Sequence, residues 1–167
     1  MGGEFKYIGG QSRKNIAAVN VSSGSPTSFK PDSNGPVKAL SVYGSKLFAG
    51  GEFSSICGKE RNYIAAVSNA TGEATSFNPD ANGRVLTMAL AGNVLFAGGE
   101  FTRIGGKDRN RLAAIDVTTG QANDFNPNAN ESVRKIELYG TTLYCGGRFT
   151  SIGGSVRNRV AAFNASN

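Results

Sequence analysis

The sequence predicts an all-β fold, a β-propeller built from about 3.5 four-stranded repeats of 48 residues. A four-residue phrase recurs at a strict 48-residue spacing, and a fixed period of roughly 20 to 50 residues is typical of repeat architectures. Short runs within each repeat show apolar residues at two-residue spacing, and no stretch has the 3.6-residue apolar period of an amphipathic helix. The four copies of the phrase are Gly2-Gly3-Glu4-Phe5, Gly50-Gly51-Glu52-Phe53, Gly98-Gly99-Glu100-Phe101 and Gly146-Gly147-Arg148-Phe149.

The composition suits strands and tight turns. The chain has 23 Gly, no Trp and no His, and we expect one array over 1–167, with repeats 2–49, 50–97 and 98–145 and a partial repeat 146–167. The chain has a net charge of +6, and its Lys and Arg residues are distributed over the repeats, a few in each. This distribution indicates a solvated basic surface and no nucleic-acid partner. The sequence has no run of about 18 apolar residues, so it predicts no membrane span. The start of the chain lacks the pattern of a signal peptide.

Each strand of a repeat follows from its own pattern. The first strand begins at Val37, and the turn Gly44-Ser45 predicts a hairpin because Gly tolerates the positive φ that a tight turn requires. The second strand runs over Leu47–Phe53. Its paired glycines predict either a bulge or a close approach of a neighbouring backbone, since Gly inside a strand otherwise weakens it.

A loop over 54–62 then leads to a third strand, Tyr63–Val67, whose alanine pair fits close packing between layers. A short fourth strand is predicted around Thr75–Phe77. The Pro and Asn-Gly of 78–83 end it in a turn.

Four phrases of the repeat together resemble the delta-60 type of bacterial propeller repeat. In this chain they are Gly98-Gly99-Glu100-Phe101, Ile104-Gly105-Gly106, Arg109-Asn110 and Phe125-Asn126-Pro127. The resemblance implies a β-propeller, an extracellular or cell-surface location in a large parent protein, and no catalytic residues common to the family. The first repeat departs from the pattern, with Lys14 for the Asn and Lys30 in the last phrase. Kelch and WD repeats are less similar because their Trp is missing.

The strand count predicts association. First and fourth strands number three each, whereas second and third strands number four, so only three complete blades can be assembled. Propellers typically have about four to eight blades, and an unclosed blade exposes a strand edge. We therefore expect copies to close a ring head to tail, a homodimer with roughly six to eight blades being the smallest. The alternative is a single chain that fills four imperfect blades.

Two sets of polar loops are expected on one face of the ring, where their carboxylates, amides and guanidinium groups could bind a glycan or protein partner. The alternative reading is structural: the Asp and Asn close turns on their own backbone, and each Arg pairs with Glu4, Glu52 or Glu100. The candidate ligand-binding residues are Arg13, Arg61, Arg109 and Arg157 from one set and Asp32, Asn34, Asp80, Asn82, Asn128 and Asn130 from the other.

Enzymatic chemistry has little support. The chain has no His, no nucleophile elbow, no Walker loop and no zinc-protease motif, so we predict a non-catalytic recognition or scaffold module. A purely structural spacer and, behind it, an uncharacterised hydrolase are the alternatives. No cofactor is predicted: calcium is weakly suggested by Asp80-Ala81-Asn82-Gly83, which lacks the downstream bidentate Glu of a calcium loop. Cys57 and Cys145 are isolated and are predicted to be free thiols.

Overall fold

The computed structural model describes residues 1–165, which form short strands and no helix. None of this part of the chain could therefore cross a membrane as a helix. The strands in chain order are β1 (Tyr7–Ile8), β2 (Gln11–Ser12), β3 (Val37–Tyr43), β4 (Lys46–Gly51), β5 (Ser55–Ile56), β6 (Lys59–Glu60), β7 (Ile64–Ser68), β8 (Val85–Ala91), β9 (Val94–Gly99), β10 (Arg103–Ile104), β11 (Lys107–Asp108), β12 (Leu112–Asp116), β13 (Val133–Tyr139), β14 (Thr142–Gly147), β15 (Ser151–Ile152), β16 (Ser155–Val156) and β17 (Val160–Asn164).

The longer strands form three antiparallel sheets of the same design. Their strand orders are β3-β4-β7, β8-β9-β12 and β13-β14-β17, with the second strand always central. Each sheet straddles the sequence repeat, because its first strand ends one repeat and its Gly-Gly phrase begins the next. The all-β class is therefore confirmed, as seven small antiparallel sheets among the described residues.

The chain divides into four structural units, one around each Gly-Gly phrase. We number them unit 1 (1–29), unit 2 (37–77), unit 3 (85–125) and unit 4 (133–165). Unit 1 has no first strand, and its second, third and fourth segments are marked by two bridges, Gly2 to Ile16 and Val19 to Pro26. Unit 4 shows no fourth segment within the residues that the structure describes.

Four details differ from the sequence prediction. The second strand covers Lys46–Gly51 and not Leu47–Phe53. The predicted loop 54–62 contains the two-stranded hairpin of β5 and β6. The third strand begins at Ile64 and not at Tyr63, because Tyr63 has a left-handed backbone with φ 62°. The fourth strand is reduced to one bridge, Val67 to Ala74, followed by a hydrogen bond from the Thr75 N–H to the Ala66 carbonyl.

The core lies between neighbouring units. The face of unit 2 that carries Phe48 packs on Leu95 and Ala97 of unit 3, and all three side chains are buried. Phe77, from the fourth segment, meets the ring of Phe48 edge to face with the centroids 4.9 Å apart. First strands of successive units also lie side by side, β3 against β8 and β8 against β13. Each unit thus depends on its neighbour for burial.

The paired glycines have both of the roles expected of them. The register of β3 against β4 shifts between Val37 and Ala39, opposite Gly50 and Gly51, which is a bulge. A Cβ on Gly51 would lie 2.1 Å from the Pro36 carbonyl oxygen, and one on Gly50 would lie 2.6 Å from Cγ1 of Val85 in the next unit. Only glycine fits at these two positions.

Repeat equivalence supplies a matched test of this close approach. A Cβ on Gly98 would lie 2.8 Å from Cγ2 of Thr87 in its own sheet and 2.9 Å from Cγ1 of Val133 in the next unit, whereas at the equivalent Gly146 the nearest atom is the Arg159 carbonyl oxygen, 3.8 Å away. We expect Gly98→Ala to lower the free energy of unfolding by about 1–3 kcal/mol, and Gly146→Ala to leave it nearly unchanged. Chemical denaturation of both variants checks this. Equal losses at the two positions would contradict the packing described.

Candidate functional site

A polar groove with a volume of about 1000 Å³ lies between units 2 and 3. It contains two of the predicted site residues, Asp80 and Asn82. A second cavity of about 420 Å³ holds Arg61 and shares Asp80 with the first. The remaining lining residues of the groove are Asn62, Asn78, Pro79, Ala81, Arg103, Gly105, Gly106, Lys107, Thr119, Gly120 and Gln121.

The two sets of loops are in contact through the second polar residue of each turn, which is Asn34, Asn82 or Asn130. The Asn82 carboxamide oxygen accepts hydrogen bonds from the backbone N–H groups of Thr102 and Arg103, each at 2.8 Å, and its nitrogen donates to the Thr102 hydroxyl. Asn34 and Asn130 make the same three contacts in their own units. The side chain therefore joins the turn before the first strand to the loop after the second.

The first Asp or Asn of each turn has a left-handed backbone, with φ of 36° at Asp32, 50° at Asp80 and 53° at Asn128. Its side chain accepts a hydrogen bond from the preceding unit: from the Lys14 N–H at 2.8 Å to Asp32, and from the Asn62 amide at 2.9 Å to Asp80. Asn128 accepts the equivalent bond at 2.6 Å. These side chains therefore serve the protein's own structure, but they join loops 18 residues apart and do not close turns on their own backbone, as the structural alternative had predicted.

Three of the four arginines fasten their loop to the fourth segment. Arg109 donates to the Asp108 and Asn123 carbonyl oxygens, and it is only 8% exposed. Arg13 and Arg61 make the same pair of contacts in units 1 and 2. The Nε atoms of all three are buried without a hydrogen-bond partner among the described residues.

The ion pairs considered for these arginines are wrong. Glu52 lies 3.3 Å from Lys38 Nζ and 3.7 Å from Arg84 Nε, and Arg84 also reaches Glu100 at 3.7 Å. Glu52 and Glu100 therefore pair with Lys38 of β3 and with Arg84, which directly precedes β8. Arg13, Arg61 and Arg109 instead donate to backbone carbonyl oxygens, and such partners cannot be recognised in the sequence because every residue has one.

Arg157 differs from its three equivalents. It is exposed, and within 1–165 its guanidinium group has no hydrogen bond or ion pair. The reason is local: the carbonyl that Arg109 reaches belongs to the fourth segment, which unit 4 lacks in the described residues.

Sequence reasoning missed the far wall of the groove, the turn Thr119–Gln121 and Lys107. Hydrogen bonds from the Thr119 and Thr118 N–H groups shape this turn and hold the pKa of the Asp116 carboxyl below its ordinary value. Lys107 donates to Asp124 at 2.8 Å and lowers the pKa of that carboxyl. Lys107 recurs as Lys59, and the sequence indicates only that both are charged residues at the surface.

Both cysteines are free thiols, as predicted. Cys57 replaces the first glycine of the Ile-Gly-Gly phrase, and its thiol donates to the Gly72 carbonyl oxygen at 2.9 Å. Burial raises the pKa of Cys57 to about 11 and that of Cys145 to about 12. Neither thiol has the low pKa of a nucleophile.

The described residues bring no three His, Cys, Asp or Glu side chains together as potential metal ligands. Asp80 faces amide groups and not further carboxylates. Calcium therefore gains no support from the geometry of this turn.

Removing Asn82 tests the junction of the two loops. We expect Asn82→Ala to lower the free energy of unfolding by about 1–3 kcal/mol, since two backbone N–H groups lose their acceptor. Asn82→Asp keeps the acceptor and should lose less. Asn78→Ala, at an exposed groove position, is the control and should shift stability by less than about 0.5 kcal/mol. Thermal unfolding of the three variants checks this, and equal stability of the first variant and the control would contradict it.

The raised pKa of Cys145 predicts a pH dependence. Unfolding lowers that pKa from about 12 toward its ordinary 9.0, so the stability gained from the neutral thiol is complete below pH 9 and is lost as pH rises toward 12. Cys145→Ala, which restores the residue of Ala49 and Ala97, removes this effect. Above pH 9 the wild type should lose stability relative to the variant, by up to about 1.4 kcal/mol per pH unit. Denaturation at pH 8 and pH 10.5 measures the difference, and a constant difference would contradict the prediction.

No protein-family model and no curated protein matched the sequence. Among solved structures, the computationally designed Ika8 protein is similar at 12% identity and a TM-score of 0.38, over 77% of this chain and 46% of that one. The chain thus spans less than half the length of Ika8. The computationally designed Ika4 protein is similar at 12% identity and a TM-score of 0.37, over 78% of this chain and 92% of that one. Similarity at this level supports no assignment of function.

Proposed function

We propose that this protein is a non-catalytic recognition and scaffold module, built as a β-propeller whose loop face binds a glycan or a protein partner. The main support for this proposal is the polar groove between units 2 and 3, which presents amides, a carboxylate and two cations at the loop face. Asn78 and Arg103 in this groove are exposed, and their side chains make no hydrogen bond or ion pair within 1–165. They are available to sugar hydroxyls or peptide carbonyls.

The propeller arrangement is supported by the way neighbouring sheets meet. Their first strands lie together, while no comparable contact joins the third strands β7 and β12. Sheets that approach at one edge and separate at the other fan about an axis. Two copies closing one ring would contribute four units each, and the extracellular or cell-surface location implied by the family resemblance belongs to the same proposal.

A structural spacer is the second candidate, and the hydrogen bonds of the predicted site favour it. Except for Arg157, every predicted site residue has its side chain committed to the protein's own loops. A spacer needs only this internal fastening. Under the recognition proposal the ligand contacts come instead from the residues between these fastened positions.

A glycan array, followed by titration of any hit, separates the two candidates. We expect saturable binding that falls at least about tenfold in Arg103→Ala and Asn78→Ala, because each loses a donor in the groove. Arg134→Ala, which removes an exposed arginine outside the groove, should bind as the wild type does.

The protein-partner arm uses the same four proteins as bait against an extracellular protein array. Absence of saturable binding in both arrays would contradict recognition and favour the spacer. Binding that survives both groove substitutions would place the ligand elsewhere.

A further inference from the structure

The two ends of the array expose apolar residues that are buried everywhere else. In unit 4, Val160 is 67% exposed and Tyr144 is 46% exposed. Their equivalents in unit 3, Leu112 and Phe96, are 0% and 2% exposed because the face of unit 4 covers them. The outer face of unit 4 is therefore built like an internal face but has no neighbour within 1–165.

The opposite end shows the same difference. Phe5 and Ile8 of unit 1 are half-buried, whereas the equivalent Phe53 and Ile56 of unit 2 are fully buried against unit 1. Met1 is 60% exposed where the other three units have a buried Ala or Cys. A cavity of about 610 Å³ lies at this end and is lined by Glu4 and Phe5. One end thus presents the face that a preceding unit covers, and the other end presents the face that a following unit covers.

Charges at the two ends are complementary. The residue after the Gly-Gly pair is Glu4 in unit 1 and Arg148 in unit 4, and neither has an ion pair in the described part of the chain. Inside the array, the equivalent Glu52 and Glu100 are linked by Arg84, which lies directly before the first strand of unit 3. Arg84 is not repeated, since the equivalent positions are Pro36 before unit 2 and Ser132 before unit 4.

We propose that the open face of unit 4 in one copy receives the open face of unit 1 in a second copy, with Arg148 of one copy paired to Glu4 of the other. This inference rests on the proposed ring, and it names the residues at its two junctions. Arg148 supplies, at the junction, the positive charge that Arg84 supplies between units 2 and 3. Val160 and Tyr144 are covered there, as Leu112 and Phe96 are covered within one copy. The occupant of both faces is the same polypeptide.

Charge reversal tests the pairing in the 167-residue chain, with particle mass measured by light scattering over a dilution series. The wild type should have twice the mass of one 17.4 kDa chain. Glu4→Arg and Arg148→Glu each place like charges together and should raise the dimer dissociation constant at least about tenfold, while the double variant should restore it. Glu73→Arg, on an exposed turn of unit 2, controls for the change in net charge and should have no effect.

A pair of valines tests the apolar part of the junction. Val160→Asp should abolish the dimer, because it puts a carboxylate where the equivalent side chains are buried. Val156→Asp is the matched control: Val156 is 83% exposed, and its equivalents are polar. Far-ultraviolet circular dichroism should show unchanged strand content in both variants.

The outcomes separate the junction from the ring. If the protein is a dimer and its dissociation constant is unchanged by the charge reversals and by Val160→Asp, the proposed junction is wrong and the ring proposal still stands. A monomer at every concentration would overturn both. A larger closed oligomer that shows the charge rescue would support the junction and overturn the two-copy ring.

Discussion

The spacing between neighbouring units depends on one contact, between a glycine of the second strand and a valine at the start of the next unit's first strand. It occurs three times, from Gly2 to Val37, from Gly50 to Val85 and from Gly98 to Val133. A Cβ on the glycine would meet the valine at 2.7, 2.6 and 2.9 Å respectively, so any side chain there would push the units apart. Two residues earlier on the same central strands as Gly50 and Gly98, Phe48 and Phe96 are buried between neighbouring units.

Burial between units then makes the repeats interdependent. A single unit has three short strands, and it cannot bury both of its faces alone. Internal units cover Ile64 and Leu112 completely, whereas the equivalent Val160 is largely exposed. Identical positions in the repeat therefore contribute differently to stability according to where they stand in the array, and the difference comes from the neighbour and not from the residue.

Much of the fold could be predicted from the sequence because the pattern of each strand recurs in several repeats. The turn at Gly44 and the bulge opposite Gly50 follow from residue types whose backbone preferences are strong. The hairpin of β5 and β6 could not be predicted, since each strand has two residues and Ile56 is the only apolar one among them. The late start of β7 was also hidden, because a tyrosine in the left-handed region has no sequence signature.

The site shows a different limit. Sequence spacing placed Asp80 and Asn82 in one turn, and the structure brings that turn against the loop of Thr102. Spacing could not say how their hydrogen-bonding capacity is used, because the partners are mostly backbone groups that every residue carries. The Asn82 carboxamide oxygen already accepts from two N–H groups and so has used both of its lone pairs, which leaves only the second N–H of the amide for a ligand. Residues that differ between repeats, such as Arg103 in place of Ser55 and Ser151, are not needed for the hydrogen bonds that join the loops in every unit. A ligand site in a repeat array is therefore better sought at positions that vary between the repeats than at positions that are the same in all of them.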